Sequence, residues 1–147
     1  MALAAHDAAD RVDQLIILTE RLTALLVEEC QAFERRRPQD IAGQVEETQR
    51  LANLYRHEST RVRANPALVS SAPLAQRQRL MRATEAFDAV LARHGRALAA
   101  AKTITEGLVR AIGEEVASQR TSATAYGPGA TQASASAATA ITLNKRA

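Results

Sequence analysis

The sequence predicts an all-α fold: an elongated antiparallel three-helix bundle, coiled-coil-like, with a long third helix and a disordered C-terminal tail. Three observations predict it. Apolar residues recur three and four apart over long stretches, which puts them on one side of a helix. Pro38, Pro66 and Pro73 fall between those stretches and not inside them. Aromatics make up 3% of the 147 residues and Trp is absent, so helices packed closely through Ala, Leu, Ile and Val suit the chain better than a thick globular core.

The spacing predicts a first helix over 5–36. Val12, Leu15, Thr19, Leu22, Leu26 and Phe33 follow the alternation of a packing seam. Ile16, Leu18 and Leu25 widen that stripe for two neighbours. Asp7, Asp10 and Asp13 sit near the positive end of the helix dipole, and Arg35, Arg36 and Arg37 near the negative end. Pro38 stops the helix, since its ring clashes with the preceding turn.

A second helix comes next over 39–64, opened by Pro38 and Asp40. Ile41, Val45, Thr48, Ala52, Tyr55 and Val62 keep the heptad spacing. Gly43 softens its start by about 1 kcal/mol relative to Ala. Residues 65–72 (NPALVSSA) form the connection, with Ser70 or Ser71 placed to cap the next helix.

The third helix spans 73–119. Leu80, Phe87, Val90, Leu91, Leu98, Ala101, Ile104, Leu108, Ile112 and Val116 form its stripe. Gly95, Gly107 and Gly113 each lower helix stability by roughly 1 kcal/mol, so the distal half is the softer one. The bundle thus covers 1–120 and a Ser/Thr/Ala/Gly-rich tail covers 121–147. No charge occurs from Thr121 to Ala140, and such a stretch buries too little apolar area to offset its ordering entropy. Two islands interrupt it: Tyr126-Gly127-Pro128-Gly129, and Ile141-Thr142-Leu143-Asn144-Lys145-Arg146.

The lengths do not match. The first two helices reach roughly 45 and 40 Å, and the third roughly 70 Å. In an up-down-up arrangement the third overshoots the Pro38 turn by about 15 residues. Ala101, Ile104, Leu108, Ile112 and Val116 lie at that overshoot, where an uncovered stripe marks a partner site. The alternatives are a homodimer through the same stripe and a distal half that folds back to bury its own stripe.

Catalytic chemistry has no foothold. His6, His57 and His94 are scattered, with no metal-ligand spacing between them or with Cys30. His94 falls on the inner stripe as a hydrogen-bonded core histidine, and Cys30 reads as a small buried apolar residue. Glu28-Glu29, Glu46-Glu47 and Glu114-Glu115 are adjacent pairs, which point to different sides of a helix. The Gly127-Pro128-Gly129 turn succeeds no strand and opens no helix, so it is no phosphate loop. The expectation is a non-enzyme with no cofactor and no metal. The net charge of +3 is spread along the chain, and Arg35–Arg37 form the one tight basic run, so nucleic acid is not an expected partner. No apolar run approaches a membrane span, and Met1–Asp13 lacks the basic start of a secretory signal. A cytoplasmic location is expected.

The stretch Leu15-Ile16-Ile17-Leu18-Thr19-Glu20-Arg21-Leu22-Thr23-Ala24-Leu25-Leu26-Val27-Glu28-Glu29 resembles the first helix of the FlgN-type flagellar export chaperones. A long third helix, then Tyr126 with nearby glycines in a Ser/Ala-rich tail, is similar to that family's C-terminal pattern. The resemblance implies a cytoplasmic chaperone of type III flagellar export. It implies binding of hook-associated (hook–filament junction) proteins, which are kept from premature assembly and delivered to the export gate. It places subunit binding toward the C-terminal part and gate binding at Tyr126. The chain differs in the two glycines flanking Pro128 and in its longer low-complexity tail. The alternative is a homodimeric coiled-coil adaptor, structural or regulatory and unrelated to secretion.

Overall fold

A computed structural model describes residues 2–125. The described residues are helical or connecting, with no strand among them: α1 is Ala8–Glu34, α2 Val45–Ala64, α3 Ala67–Ser70 and α4 Leu74–Ala125. A 3-10 segment, Pro38–Gln44, precedes α2. The described chain divides into two compact units, the first ending at Lys102 and the second starting at Thr103.

α1 starts three residues later than the sequence suggests, because Asp7 caps it. Asp7 is extended (φ −148°, ψ −176°) and its Oδ1 accepts the Asp10 amide at 2.8 Å. Asp10 reaches back in turn, its Oδ2 accepting the His6 amide at 2.9 Å. One orphan donor of the first turn, and the amide just ahead of the cap, are thereby satisfied. The His6 amide, with help from Gln14, holds the Asp10 carboxyl below its ordinary value.

At the other end α1 stops before Pro38 acts on it. The Arg37 amide donates to the Ala32 carbonyl at 2.8 Å and the Arg36 amide to the Phe33 carbonyl at 3.0 Å. Arg36 has φ 58°. These are the bonds of a Schellman cap, with arginine in the left-handed position that usually falls to glycine. The arginine run therefore lies in and beyond the cap, not in the last helical turn.

The second helix also begins later than its expected 39. Residues 38–44 wind as 3-10 helix, at three residues per turn, and seat Ile41 in the core. That tighter winding shifts the register of α2. Of the expected seam, Thr48, Tyr55 and Val62 are half-buried, but Val45 and Ala52 are exposed, and Leu51 and Glu58 are buried instead. The connection 65–72 contains the one-turn α3, whose Val69 packs with buried Ala72 against Val12 and Ile16.

Within the first unit the helices run up, down and up. The Arg21–Glu47 and Arg11–Glu58 pairs set α2 antiparallel to α1. Gln76 donates to Asp13 and Arg93 to Glu34, so the proximal part of α4 runs parallel to α1. Leu18, Leu22, Leu25, Leu26, Leu51 and Phe87 form the main core. The Tyr55 and Phe87 rings meet there at 4.7 Å between centroids, tilted by 44°. A second cluster joins Val12, Ile16 and Ala72 to Ala8, Val69 and Leu80. The seam expected on the first helix is thus buried, with Phe33 half-buried at its end.

In the second unit α4 continues to Ala125, beyond the expected end at 119. Thr121 and Thr124 sit in these last turns with their hydroxyls bonded to the carbonyls of Ala117 and Arg120. Tyr126 and the Ile141–Arg146 island lie outside the described residues.

Candidate partner-binding surface

The distal part of α4 carries the surface singled out by its sequence. Every residue from 102 to 125 is exposed. Among the large apolar ones, Ile104 is 49% exposed, Leu108 58%, Val109 65%, Ile112 56% and Val116 43%. Ala101, the first residue of the expected set, belongs to the other unit and is half-buried.

Helical geometry sorts these positions. At about 100° per residue, Leu108, Val109, Ile112 and Val116 share an arc of about 100°, the width of an apolar stripe made to be covered. Ile104 lies at its edge, about 40° beyond Leu108. Glu106, Arg110 and Glu114 fall on the opposite face. Spacings of four counted from Ile104 miss Val109. The signal that finds it is its spacing of seven from Val116, which places the two nearly in line. Glu115 flanks the stripe, its Oε1 accepting Gln119 Nε2 at 3.0 Å. A Cβ added at Gly107 or Gly113 would meet nothing within 4 Å, so these glycines answer no packing demand of the described chain.

In the first unit, polar residues fix the bundle. Glu58 is 0% exposed. Its Oε1 accepts the Leu3 amide at 2.9 Å and Arg61 Nη1 at 3.0 Å, and its Oε2 accepts Arg11 Nη1 at 3.0 Å. Desolvation pushes this carboxyl up, but the Leu3 amide and the two guanidinium groups outweigh it and hold it below its ordinary value. Apolar spacing does not reveal this cluster, because an acid at a core position breaks the pattern that marks a seam.

His94 stands where the inner stripe of α4 meets the end of α1. Its Nε2 lies 2.8 Å from Glu29 Oε2, and its ring meets Phe33 edge-on at 6.0 Å. Beside it Arg93 grips Glu34 with two bonds of 2.8 and 2.6 Å, which hold the Glu34 carboxyl low. Burial pushes the Cys30 thiol up, more than nearby Arg93 draws it down, which leaves it a poor nucleophile.

No group of three or more potential metal ligands occurs among the described residues. The concavities of the first unit are open grooves. One lies between α1 and α4, lined by Thr23, Ala24, Ala83 and Ala86 with Glu20 on one rim and Arg79 and Arg82 on the other. No described helix is long and apolar enough to cross a membrane.

Against known proteins, this chain is 63% identical over 149 aligned residues to a protein of Caulobacter vibrioides described as flagellar basal-body protein FlbY, with all of both chains covered. No family model matches it, and no solved structure does.

Proposed function

Because this chain belongs to the family of the flagellar basal-body protein FlbY, we propose that it serves flagellar biogenesis as a cytoplasmic export chaperone, without catalysis. It binds hook–filament junction subunits, keeps them from assembling early and delivers them to the type III export gate. The observation that carries this reading is the exposed stripe Leu108, Val109, Ile112 and Val116 on a helix whose other face is charged. The likeness to FlgN-type chaperones in the first helix and around Tyr126 supports it.

The physical logic is that of helix-to-helix recognition. A subunit segment laid along the stripe would bury about 500 Å² of apolar surface, on the order of 10 kcal/mol gross. Ordering both partners offsets much of that, so the complex is reversible. Delivery requires reversibility.

The test is co-purification of candidate junction subunits with the full chain. Leu108→Asp or Ile112→Asp reduces binding at least tenfold, and Tyr126→Ala spares subunit binding while weakening capture by the gate's cytoplasmic domain. Unchanged subunit affinity in both aspartate variants would remove the stripe from the reading. The relative's description favours a second reading, a resident of the basal body itself. In that case the chain fractionates with purified basal bodies and binds no free subunit. A tight dimer of the isolated chain on sedimentation, dissolved by the same aspartates, would point instead to the coiled-coil adaptor.

A further inference from the structure

Three helices of the first unit leave a gap where they meet. Each brings a short hydroxyl residue to it: Thr19 from α1, Ser59 from α2 and Thr84 from α4. The resulting groove holds about 290 Å³, with Leu15, Tyr55, Val62 and Leu80 around it and Arg63 at its edge. We infer that this groove binds a small amphipathic anion, a single alkyl chain ending in a carboxylate, with the chain in the groove and the head group on Arg63. The site is distinct from the exposed stripe of the second unit and does not depend on the function proposed above.

The gap follows from side-chain size and spacing. Its residues recur three and four apart on each helix, so each helix presents one face to it. Thr19 is 1% exposed and Leu15 6%, which makes α1 the floor, while α2 and α4 supply half-buried walls. The hydroxyls do not call for water. Thr19 Oγ1 donates to the Leu15 carbonyl at 2.7 Å and Thr84 Oγ1 to the Leu80 carbonyl at 2.9 Å. The Tyr55 hydroxyl shares side-chain hydrogen bonds with Ser59 and Thr84. Polar groups already paired within the chain do not oppose an apolar neighbour, so the groove favours hydrocarbon over a sugar or a nucleotide. Its volume is that of about ten waters and falls just under the roughly 300–1,000 Å³ of pockets that enclose drug-sized ligands. A chain of about eight carbons suits it.

Charge selects the head group. Arg63 is exposed and makes no ion pair among the described residues. The nearest acid in sequence, Glu58, is already held by Arg11 and Arg61. At the other end of the groove, burial and then the charge of Asp88 push the Tyr55 hydroxyl up. An acid thus stands toward Tyr55 and a cation beside Val62, which turns the anionic end of a ligand to Arg63. Tyr55 and Arg63 are about 12 Å apart along α2, room for an extended chain of that length. Exposed ion pairs contribute little, so the preference among head groups is several-fold and not absolute.

Calorimetry of the full chain with octanoate, octanol and octylammonium tests the site. Octanoate binds saturably, one per chain, several-fold more tightly than octanol, and octylammonium binds most weakly. Shortening the chain to hexanoate weakens binding about fifteenfold, at about fourfold per methylene. Arg63→Glu reverses the order of octanoate and octylammonium. Ser59→Leu fills the groove and lowers octanoate affinity about tenfold, the loss of roughly two buried methylenes. Methyl NMR places the octanoate-induced shifts on Leu15, Val62 and Leu80. A head-group order unchanged in Arg63→Glu overturns the proposal. Uptake that does not saturate overturns it too, as do methyl shifts centred on Leu108, Val109, Ile112 and Val116. Should Ser59→Leu disturb the bundle, Arg63→Glu decides alone, because the Arg63 side chain holds no described ion pair whose loss would unfold the chain.

Discussion

Glu58 is the residue on which the first unit turns. Its carboxylate is fully buried, and its donors come from different places: the chain ahead of α1, α1 itself, and the next turn of α2. A buried charge keeps its place only while such partners hold it, and removing one side of the pair strands the other. Glu58→Gln leaves Arg11 buried against a neutral amide and costs about 3 kcal/mol in urea unfolding. The pH dependence has a fixed sign. The folded carboxyl titrates below its unfolded value, so its contribution is complete above the unfolded value of about 4.3. It is lost as pH falls through the folded value. The stability gap between wild type and Glu58→Gln therefore narrows on acidification, which denaturant melts at pH 7 and pH 3 measure directly.

At the scale of the element, α4 is one helix with two kinds of surface. Its proximal turns bury Phe87 and half-bury Leu80 and Val90, while its distal turns bury nothing. Gly107 and Gly113 sit in that distal stretch with open space where a Cβ would stand. Gly107→Ala and Gly113→Ala each stabilise it by about 1 kcal/mol, because alanine gives up less backbone freedom. Slower amide exchange over 103–119 is the readout, and unchanged exchange would mean that glycine is not what softens these turns. The helix types, the first seam and the stripe on α4 are legible in the apolar spacing. The register of α2 is legible only in part: Ile41 is buried and Thr48, Tyr55 and Val62 are half-buried as expected, but Val45 and Ala52 are exposed. Seven residues of 3-10 winding precede it, and an extrapolation at 3.6 residues per turn through them lands on Val45 and Ala52 instead of Leu51 and Glu58. The late start of α1 and its early stop are likewise hidden, since both depend on caps, one made by Asp7 and one by an arginine in a glycine's conformation. Of the candidate surface, Leu108, Ile112 and Val116 are readable and Val109 escapes a count by fours, while Tyr126 falls outside the described residues.

For the whole molecule, the two units differ in what protects them. The first has two hydrophobic clusters and a buried ion cluster. The second, over its described residues, has helical hydrogen bonds and no buried side chain. Local opening is governed by such buried contacts. Trypsin at low dose therefore cuts after Arg110 and Arg120 well before it cuts after Arg11 or Arg61, and mass spectrometry of the first fragments checks the order. Cleavage inside α1 or α2 at equal speed would contradict this division. The ion cluster has one more consequence, for biosynthesis. Arg11 is translated well before its counter-ion at position 58, and the Leu18–Leu26 seam emerges before Phe87 exists to cover it. Throughout that interval the nascent chain carries an unmatched cation and an open greasy strip, so the factors that shelter newborn polypeptides have a substrate in this chain before its own bundle can close.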